Sequence, residues 1–138
     1  MINRRVLGAL LFSIIAVCTL FVGVLSAHHG RAGYDTKGQG ITLRGVVTEY
    51  KWINPHVFLN WQVKNEKGEV VEWTGEFSSP TTMISEGMGK TTFKAGDEII
   101  ATVIPAKGNV PHGLMLKIVR PDGTVLVDLS ERRGILTQ

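Results

Sequence analysis

The residues of this sequence best suited to chemistry are its four histidines, because an imidazole ring can bind a transition metal or transfer a proton near neutral pH. His28 and His29 are adjacent and directly follow a long apolar run. His56 ends the segment Trp-Ile-Asn-Pro-His, and His112 lies in Val-Pro-His-Gly. Two histidines therefore follow a candidate cleavage site, and the other two follow prolines in segments typical of loops.

The N-terminal segment has the layout of an export signal. Arg4 and Arg5 precede an uncharged run over residues 6–27, and cleavage after Ala27 or after Ser26 fits the small residues at its end. The run is also long enough to cross a bilayer as a helix of ~20 residues, so an uncleaved anchor, touching the membrane only through this run, is the alternative. Both readings predict a periplasmic domain, either released or anchored to the inner membrane.

The two cleavage sites make different metal ligands from the same histidines. A cut after Ala27 leaves His28 first, and its amine and ring nitrogen can chelate one metal ion, with His29 or His56 adding a nitrogen. A cut after Ser26 leaves Ala-His-His, whose amine, two amides and third-position imidazole suit square-planar Cu(II) or Ni(II). Both cuts favour copper. An uncleaved anchor removes the amine, and a polar start after export would explain the pair without any metal.

His112 and Met115 extend the set of candidate metal ligands. Met115 lies three residues after His112, and a thioether selects Cu(I). The alternatives are that loops collect polar residues whatever their role and that the methionine fills a gap in the core.

Cysteine content and charge exclude several classes of protein. Cys18 is the only cysteine and lies inside the apolar run, so the exported part has no disulfide, thiolate nucleophile or cysteine metal site. Loss of Arg4 and Arg5 on cleavage lowers the number of basic residues from 15 to 13, against 12 acidic residues. The exported domain is then nearly neutral, which argues against a nucleic-acid partner.

Catalysis has little support in the sequence, which contains neither a Gly-x-Ser-x-Gly motif nor a glycine-rich phosphate loop. Glu72 and Glu76 lie four residues apart on one predicted strand, which separates them by roughly 13 Å along it. That separation is too long for a paired acid and base. We therefore predict a binding protein rather than an enzyme.

Alternating apolar and polar residues predict short strands separated by turn residues. In residues 56–63 this alternation places Val57, Leu59, Trp61 and Val63 on the core face. Residues 78–89 change to a helical pattern, in which Ser79 can cap a short helix and Pro80 suits its first position. The predicted strands are 41–52, 56–63, 70–77, 98–105, 114–119 and an added strand at 124–129.

Three strands, a short helix and then two or three strands is the element order of an OB-like Greek-key barrel. We therefore predict an all-β fold of five or six strands, with the helix between strands three and four and an apolar export or anchor helix before them; a small sandwich is the rival. In such a barrel the loops that bind ligands join strands one and two and strands four and five, and here they carry His56 and His112. The predicted segments are an export signal or anchor at 1–27, a flexible leader at 28–40, the barrel domain at 41–129 and a tail at 130–138.

Five short motifs give the chain a recognisable pattern: the histidine pair, WINPH at 52–56, GEFSSP at 75–80, AGD at 95–97 and PAKG at 105–108. Together they resemble an uncharacterised family of small exported bacterial domains, domain of unknown function 6152. The resemblance runs from His28 to about Asp128 and implies a periplasmic all-β domain without an assigned activity. The chain departs from the pattern at Gly30-Arg31, where Ser-Phe is more usual, and at Met88, where tryptophan is more typical. The matching residues are His28, His29, Trp52, Asn54, Pro55, His56, Glu76, Ser79, Pro80, Gly96 and Asp97.

Two hypotheses from different classes follow. The leading one is a non-catalytic domain that binds a transition metal, above all copper, through His56 and the N-terminal histidine pair, with His112 as an optional partner. The other is a protein- or glycan-interaction module, in which the two loops contact a periplasmic or membrane partner and the histidines are incidental. The residues of that contact are Trp52, Asn54, Pro55 and Glu76.

Overall fold

The computed structural model describes residues 33–36 and 40–133. Contacts divide the chain into two compact units, Met1–Gly33 and Tyr34–Gln138, and the fold given below is that of the second unit. The predicted export segment and both N-terminal histidines, His28 and His29, lie outside the described residues. Within the described ranges, no helix has the length and apolar character needed to cross a membrane.

The described part of the chain contains six strands and two short helices. β1 and β4 have the bounds that the sequence predicted, whereas β5 begins at His112, before the predicted start at Leu114. The elements in chain order are β1 (Ile41–Trp52), β2 (Val57–Lys64), β3 (Val70–Glu76), α1 (Pro80–Ser85), β4 (Glu98–Pro105), β5 (His112–Val119), β6 (Val125–Asp128) and α2 (Ser130–Arg133).

The strands form one sheet that closes on itself. Their order is β3-β2-β1-β4-β5-β6, and these neighbours pair in antiparallel fashion. β3 also pairs with β5 in parallel, which closes a five-stranded barrel and leaves β6 as an extra strand. The pairs that close the barrel are Thr74 with His112, Gly75 with Gly113 and Glu76 with Leu114.

The core is built from the apolar residues that the alternation of β2 predicted. Val57, Leu59 and Trp61 have no exposed surface, and Val63 is buried beside them, because alternate residues of a strand point to the same face. Residues of β1, β4, β5 and β6, of the segment around α1, and Leu129 complete this core. The predicted inward face of β2 is therefore confirmed.

Helix α1 begins as the sequence predicted. The Ser79 hydroxyl oxygen accepts a hydrogen bond from the Thr82 N–H at 3.3 Å, and Pro80 occupies the first turn, where its missing N–H costs nothing. Met83 is 1% exposed and packs in the core. Gly87, just after the helix, has a φ of 79°, a conformation that glycine adopts without strain.

A second, smaller apolar cluster lies on β4 and β5. It joins Ile104, Leu114 and Leu116 to Tyr34, which precedes β1. Met115, between the two leucines, belongs to the main core instead. Strand β5 therefore packs apolar side chains on both of its faces.

Tyr34 shows that the folded unit begins earlier than the sequence suggested. Its side chain is buried, with 9% of the residue exposed, and it forms an isolated β-bridge with Ala106. The next residue, Asp35, donates its backbone N–H to the carbonyl oxygen of Pro105 at 3.0 Å. The prediction of a flexible leader up to residue 40 is therefore wrong at Tyr34 and Asp35, and the domain does not start at Ile41.

Replacing Gly45 by alanine should destabilise the barrel. Gly45 pairs with Val63 on one side and Ile99 on the other, and a Cβ there would lie 2.0 Å from the carbonyl oxygen of Gln62. We expect Gly45→Ala to lower the free energy of unfolding by about 1–3 kcal/mol, as for other overpacked sites, in thermal or urea unfolding. Gly89→Ala is the matched control, since nothing lies within 4 Å of a Cβ there; equal stability of the two variants would contradict the close approach.

Candidate functional site

Four side chains from separate parts of the chain meet at the end of β3. Nδ1 of His56 lies 2.7 Å from Oε1 of Glu76, and the Tyr34 hydroxyl donates a hydrogen bond to Oε2 of Glu76 at 2.6 Å. Nε2 of His112 lies 2.8 Å from the Tyr34 hydroxyl oxygen and 3.4 Å from Oε2 of Glu76. We call these four residues the Glu76 cluster.

The strand register brings both histidines to one carboxylate. Glu76 is the last residue of β3, where it pairs with Phe58 of β2 on one side and with Leu114 of β5 on the other. His56 comes two residues before Phe58, and His112 comes two residues before Leu114. Residues two apart along a strand share a face, and diagonal neighbours on adjacent strands are within reach. Both imidazoles therefore approach Glu76 from its two sides.

Tyr34 is the member of the cluster that sequence reasoning missed. Its ring packs with Ile104, Leu114 and Leu116, which places its hydroxyl between Glu76 and His112. The one available signal was that Tyr34 is the only Phe, Tyr or Trp between residues 28 and 40. A large aromatic residue in an otherwise polar, glycine-rich stretch suggests an anchor to the fold.

The Glu76 carboxylate is mostly removed from water, and nearby donor groups offset the cost of this burial. Only 16% of its side chain is exposed, against 44% for His56 and 31% for His112. A buried carboxylate is costly unless donors surround it, and here both oxygens of Glu76 have donor groups within hydrogen-bonding distance. The cluster therefore holds an acceptor inside and presents two imidazoles at the surface.

The cluster is not by itself a complete metal site. In the ranges that the structure describes, no group of three or more His, Cys, Asp or Glu side chains could hold a metal ion. Both oxygens of Glu76 are engaged within the cluster, Oε1 by Nδ1 of His56 and Oε2 by the Tyr34 hydroxyl. His56 and His112 are brought together around one carboxylate, while His28 and His29 fall outside the described residues.

The predicted interaction residues lie in the loop between β1 and β2. Trp52 is partly buried against the core, and its ring meets that of Tyr50 edge-on, with 5.9 Å between the centroids. Asn54 and Pro55 are exposed and are joined by a cis peptide bond. Ile53, which the sequence did not single out, has 51% of its surface exposed. The exposed apolar residue of this loop is therefore Ile53, whereas Trp52 packs against the core.

Met115 does not lie with His112, contrary to the ligand set drawn from the sequence. It has no exposed surface and belongs to the main core, and a Cβ added at Gly75 would lie 2.2 Å from its terminal methyl carbon. The spacing of three residues explains the error, because strand residues an odd number apart point to opposite faces. His112 faces the Glu76 cluster, so Met115 faces the barrel interior.

Comparison with known proteins gives a family but no function. The model of a family of unknown function, DUF6152, matches residues 17–116, a span that contains all four members of the Glu76 cluster. No curated protein and no solved structure matches the chain.

Truncating Met115 should act on stability rather than on ligand binding. We expect Met115→Ala to lower the free energy of unfolding by about 2–5 kcal/mol, because it opens a cavity in a packed core. Ile84→Ala is the control, since Ile84 is 63% exposed and its truncation should change stability little. Urea unfolding measures both; a Met115→Ala protein as stable as the control would show that the thioether is not a core group.

Proposed function

We propose a metal-binding function for this chain, which belongs to the family of unknown function DUF6152: it is an exported, non-catalytic domain that binds a transition metal, copper above others. His56 is the central ligand, and the N-terminal pair, His28 and His29, completes the site, with His112 as a further partner. The proposal includes export through residues 1–27 and an OB-like barrel. The barrel assignment is supported by the helix between β3 and β4 and by the parallel β3–β5 closure.

The observation that carries the proposal is the 2.7 Å contact between Nδ1 of His56 and Oε1 of Glu76. A histidine that binds a metal commonly donates its other ring N–H to a carboxylate, which fixes the tautomer and makes the ligand nitrogen more basic. Here the carboxylate engages Nδ1, so Nε2 is the nitrogen left to bind a metal. The His56 side chain is 44% exposed, which gives an incoming ion access to it.

The position of Tyr34 supports the participation of the N-terminal pair. Tyr34 is fixed within the Glu76 cluster, and His29 precedes it by five residues and His28 by six. A chain spans at most ~3.3–3.6 Å per residue, so the chain between these histidines and Tyr34 can span at most about 20 Å.

The choice of metal follows from the ligands that remain. The exported part has no cysteine, and Met115 is buried in the core, so the available donors are imidazole nitrogens and, after cleavage, the terminal amine. Nitrogen ligands of this kind bind Cu(II) most tightly among the divalent first-row metals. Copper is therefore the ion that this donor set favours.

A second candidate function, a protein- or glycan-interaction module, is favoured by the exposed Ile53. This residue stands at the tip of the β1–β2 loop with Asn54 and Pro55 exposed beside it, and Trp52 packs underneath. An exposed apolar side chain on a loop supported by an aromatic ring suits a contact with a partner. On this reading the protein would be recovered with a bound periplasmic or membrane partner and no metal.

Native mass spectrometry on the protein recovered from its host separates the two candidates, because one spectrum reports the N-terminus and any bound mass. We expect a chain that starts at Ala27 or His28 with one copper ion, and we expect His56→Ala to lose the copper. Removing a hydrogen-bonded group costs about 1 kcal/mol, so the variant should stay folded. Asn54→Ala, in the same loop, is the control that keeps the copper; retention of copper by His56→Ala would remove His56 from the site.

Removing the charge of Glu76 should weaken copper binding without removing a ligand. We expect Glu76→Gln to lower copper affinity about 10–100-fold, as for other residues that orient a metal-bound histidine. Glu72→Gln is the matched control on the same strand, since Glu72 accepts a hydrogen bond from the neutral Thr48 hydroxyl. Competition titration with a copper chelator measures both variants, and equal affinities would count against the orienting role.

A further inference from the structure

The pairing that closes the barrel leaves the first half of β3 with a free edge. Strand β5 pairs with β3 only at Thr74, Gly75 and Glu76. Along residues 70–73, which we call the β3 edge, the described part of the chain pairs with β3 through β2 alone. The register with β2 is regular there and the edge contains no proline, so neither a bulge nor a proline blocks a further strand.

Backbone groups of the β3 edge point to this free side. The N–H of Thr74 bonds to the carbonyl oxygen of Pro111 at 3.0 Å, and therefore points away from β2. Alternate residues of a strand direct their N–H and C=O groups to the same side, so those of Glu72 and Val70 also point away from β2. Nothing in the described ranges pairs with them on that side. Such a row of unpaired groups is a template for an added strand.

An open cavity lies beside the β3 edge, between the β2–β3 turn and the loop that joins β4 to β5. Its volume is about 850 Å³, which is within the range of ligand-binding clefts. Val71 and Trp73 line it from β3. Val110 and Pro111 line it from the loop, and Val110 is 47% exposed. The other apolar lining residues are Ile41, Leu43 and Val63. Apolar side chains of a partner would therefore find apolar walls next to the unpaired backbone.

The outer face of the β3 edge carries an unpaired negative charge. Neighbouring residues of a strand point to opposite faces, so Glu72 points away from the cavity that Val71 and Trp73 line. Glu72 is exposed and accepts a hydrogen bond from the Thr48 hydroxyl at 2.7 Å. In the part of the chain that the structure describes, no lysine or arginine forms an ion pair with it. A basic residue directly across from Glu72 on an added strand would complement this charge.

We infer that the β3 edge is a docking site for an extended segment of a partner protein, in which one basic residue lies between two apolar residues. The segment pairs as an added strand with the backbone of Val70 and Glu72, a common mode of peptide recognition. Its basic side chain meets Glu72 on the outer face, and its two apolar side chains enter the cavity beside Trp73. The site shares no residue with the Glu76 cluster, so the inference does not depend on metal binding.

The first test measures amide hydrogen exchange by NMR on the full-length chain in lipid nanodiscs, where no free detergent competes for the cavity. At low protein concentration we expect the Glu72 amide to exchange rapidly and the Trp73 amide, which points to β2, to be protected. A Glu72 amide as protected as that of Trp73 would overturn the inference, because the edge would already be covered. Protection that appears only at high protein concentration would also overturn it, since the occupant would be a second copy of the chain.

The second test adds capped synthetic peptides to the same sample. We expect Ser-Val-Arg-Val-Ser to shift and protect the Glu72 amide with a Kd on the order of 1 mM, since a short peptide makes a small contact. The same peptide with glutamate in place of arginine should bind about tenfold more weakly, because like charges then face each other across the strands. A peptide with serine in place of both valines should also bind more weakly, because it leaves the cavity empty.

A charge reversal in the protein makes the result specific. Glu72→Lys should reverse the preference, so that the glutamate peptide binds more tightly than the arginine peptide. Glu49→Lys is the matched control, because Glu49 is an exposed residue of β1, two strands away from the β3 edge, and it should keep the wild-type preference.

The wild-type data decide the matter even if a variant fails to fold. Equal binding of the arginine and glutamate peptides would overturn the inference. It would also be overturned if neither peptide shifted the Glu72 amide at about 10 mM, well above the expected Kd. None of these outcomes bears on copper binding, which is measured separately.

Discussion

The parallel pairing of β3 with β5 is the contact on which the rest of the structure depends. It is three residue pairs long, yet it converts an open sheet into a barrel. Its middle pair joins Gly75 to Gly113, and a Cβ at Gly113 would lie 2.8 Å from the carbonyl oxygen of Ile104. At Gly75 the missing side chain leaves the space that Met115 fills. Gly113 is therefore needed for the close approach of β4, and Gly75 for the packing of Met115.

The same pairing creates the Glu76 cluster. When Glu76 is paired with Leu114, His112 becomes its diagonal neighbour on β5, just as the β2–β3 register brings His56 close through Phe58. Closure of the barrel also gives Leu114 and its neighbours a second buried face, on which Tyr34 packs. The fold and the cluster thus have a common origin, and a defect in the closure would remove both.

Local patterns predicted the elements, and long-range geometry decided the site. The alternation in β2 and the Ser79-Pro80 start of α1 depend on neighbouring residues alone, so both could be predicted. The contacts of Tyr34 span 42 residues to Glu76 and 78 to His112, and no local pattern contains them. The grouping of His112 with Met115 failed because the two residues are three apart in a strand. They are close along the chain, but their side chains point to opposite faces of the sheet. Residue type alone singled out His56 and His112, but their shared carboxylate required the closed barrel.

The exposure of the two histidines supports the proposed ligand site over a purely structural network. In a purely structural network, buried polar atoms form hydrogen bonds with other groups inside the protein. A histidine whose only role was to donate a hydrogen bond to Glu76 would be expected to be buried as well. Here the carboxylate is the desolvated partner, while His56 and His112 keep 44% and 31% of their side chains exposed. The contacts of His56 with Glu76 and of His112 with Tyr34 restrict the rotation of the two rings. A ligand that binds the other nitrogen of either ring would therefore meet a ring that is already oriented. Such preorganisation lowers the entropy lost on binding, and a mostly buried carboxylate that holds half-buried imidazoles would provide it at both rings.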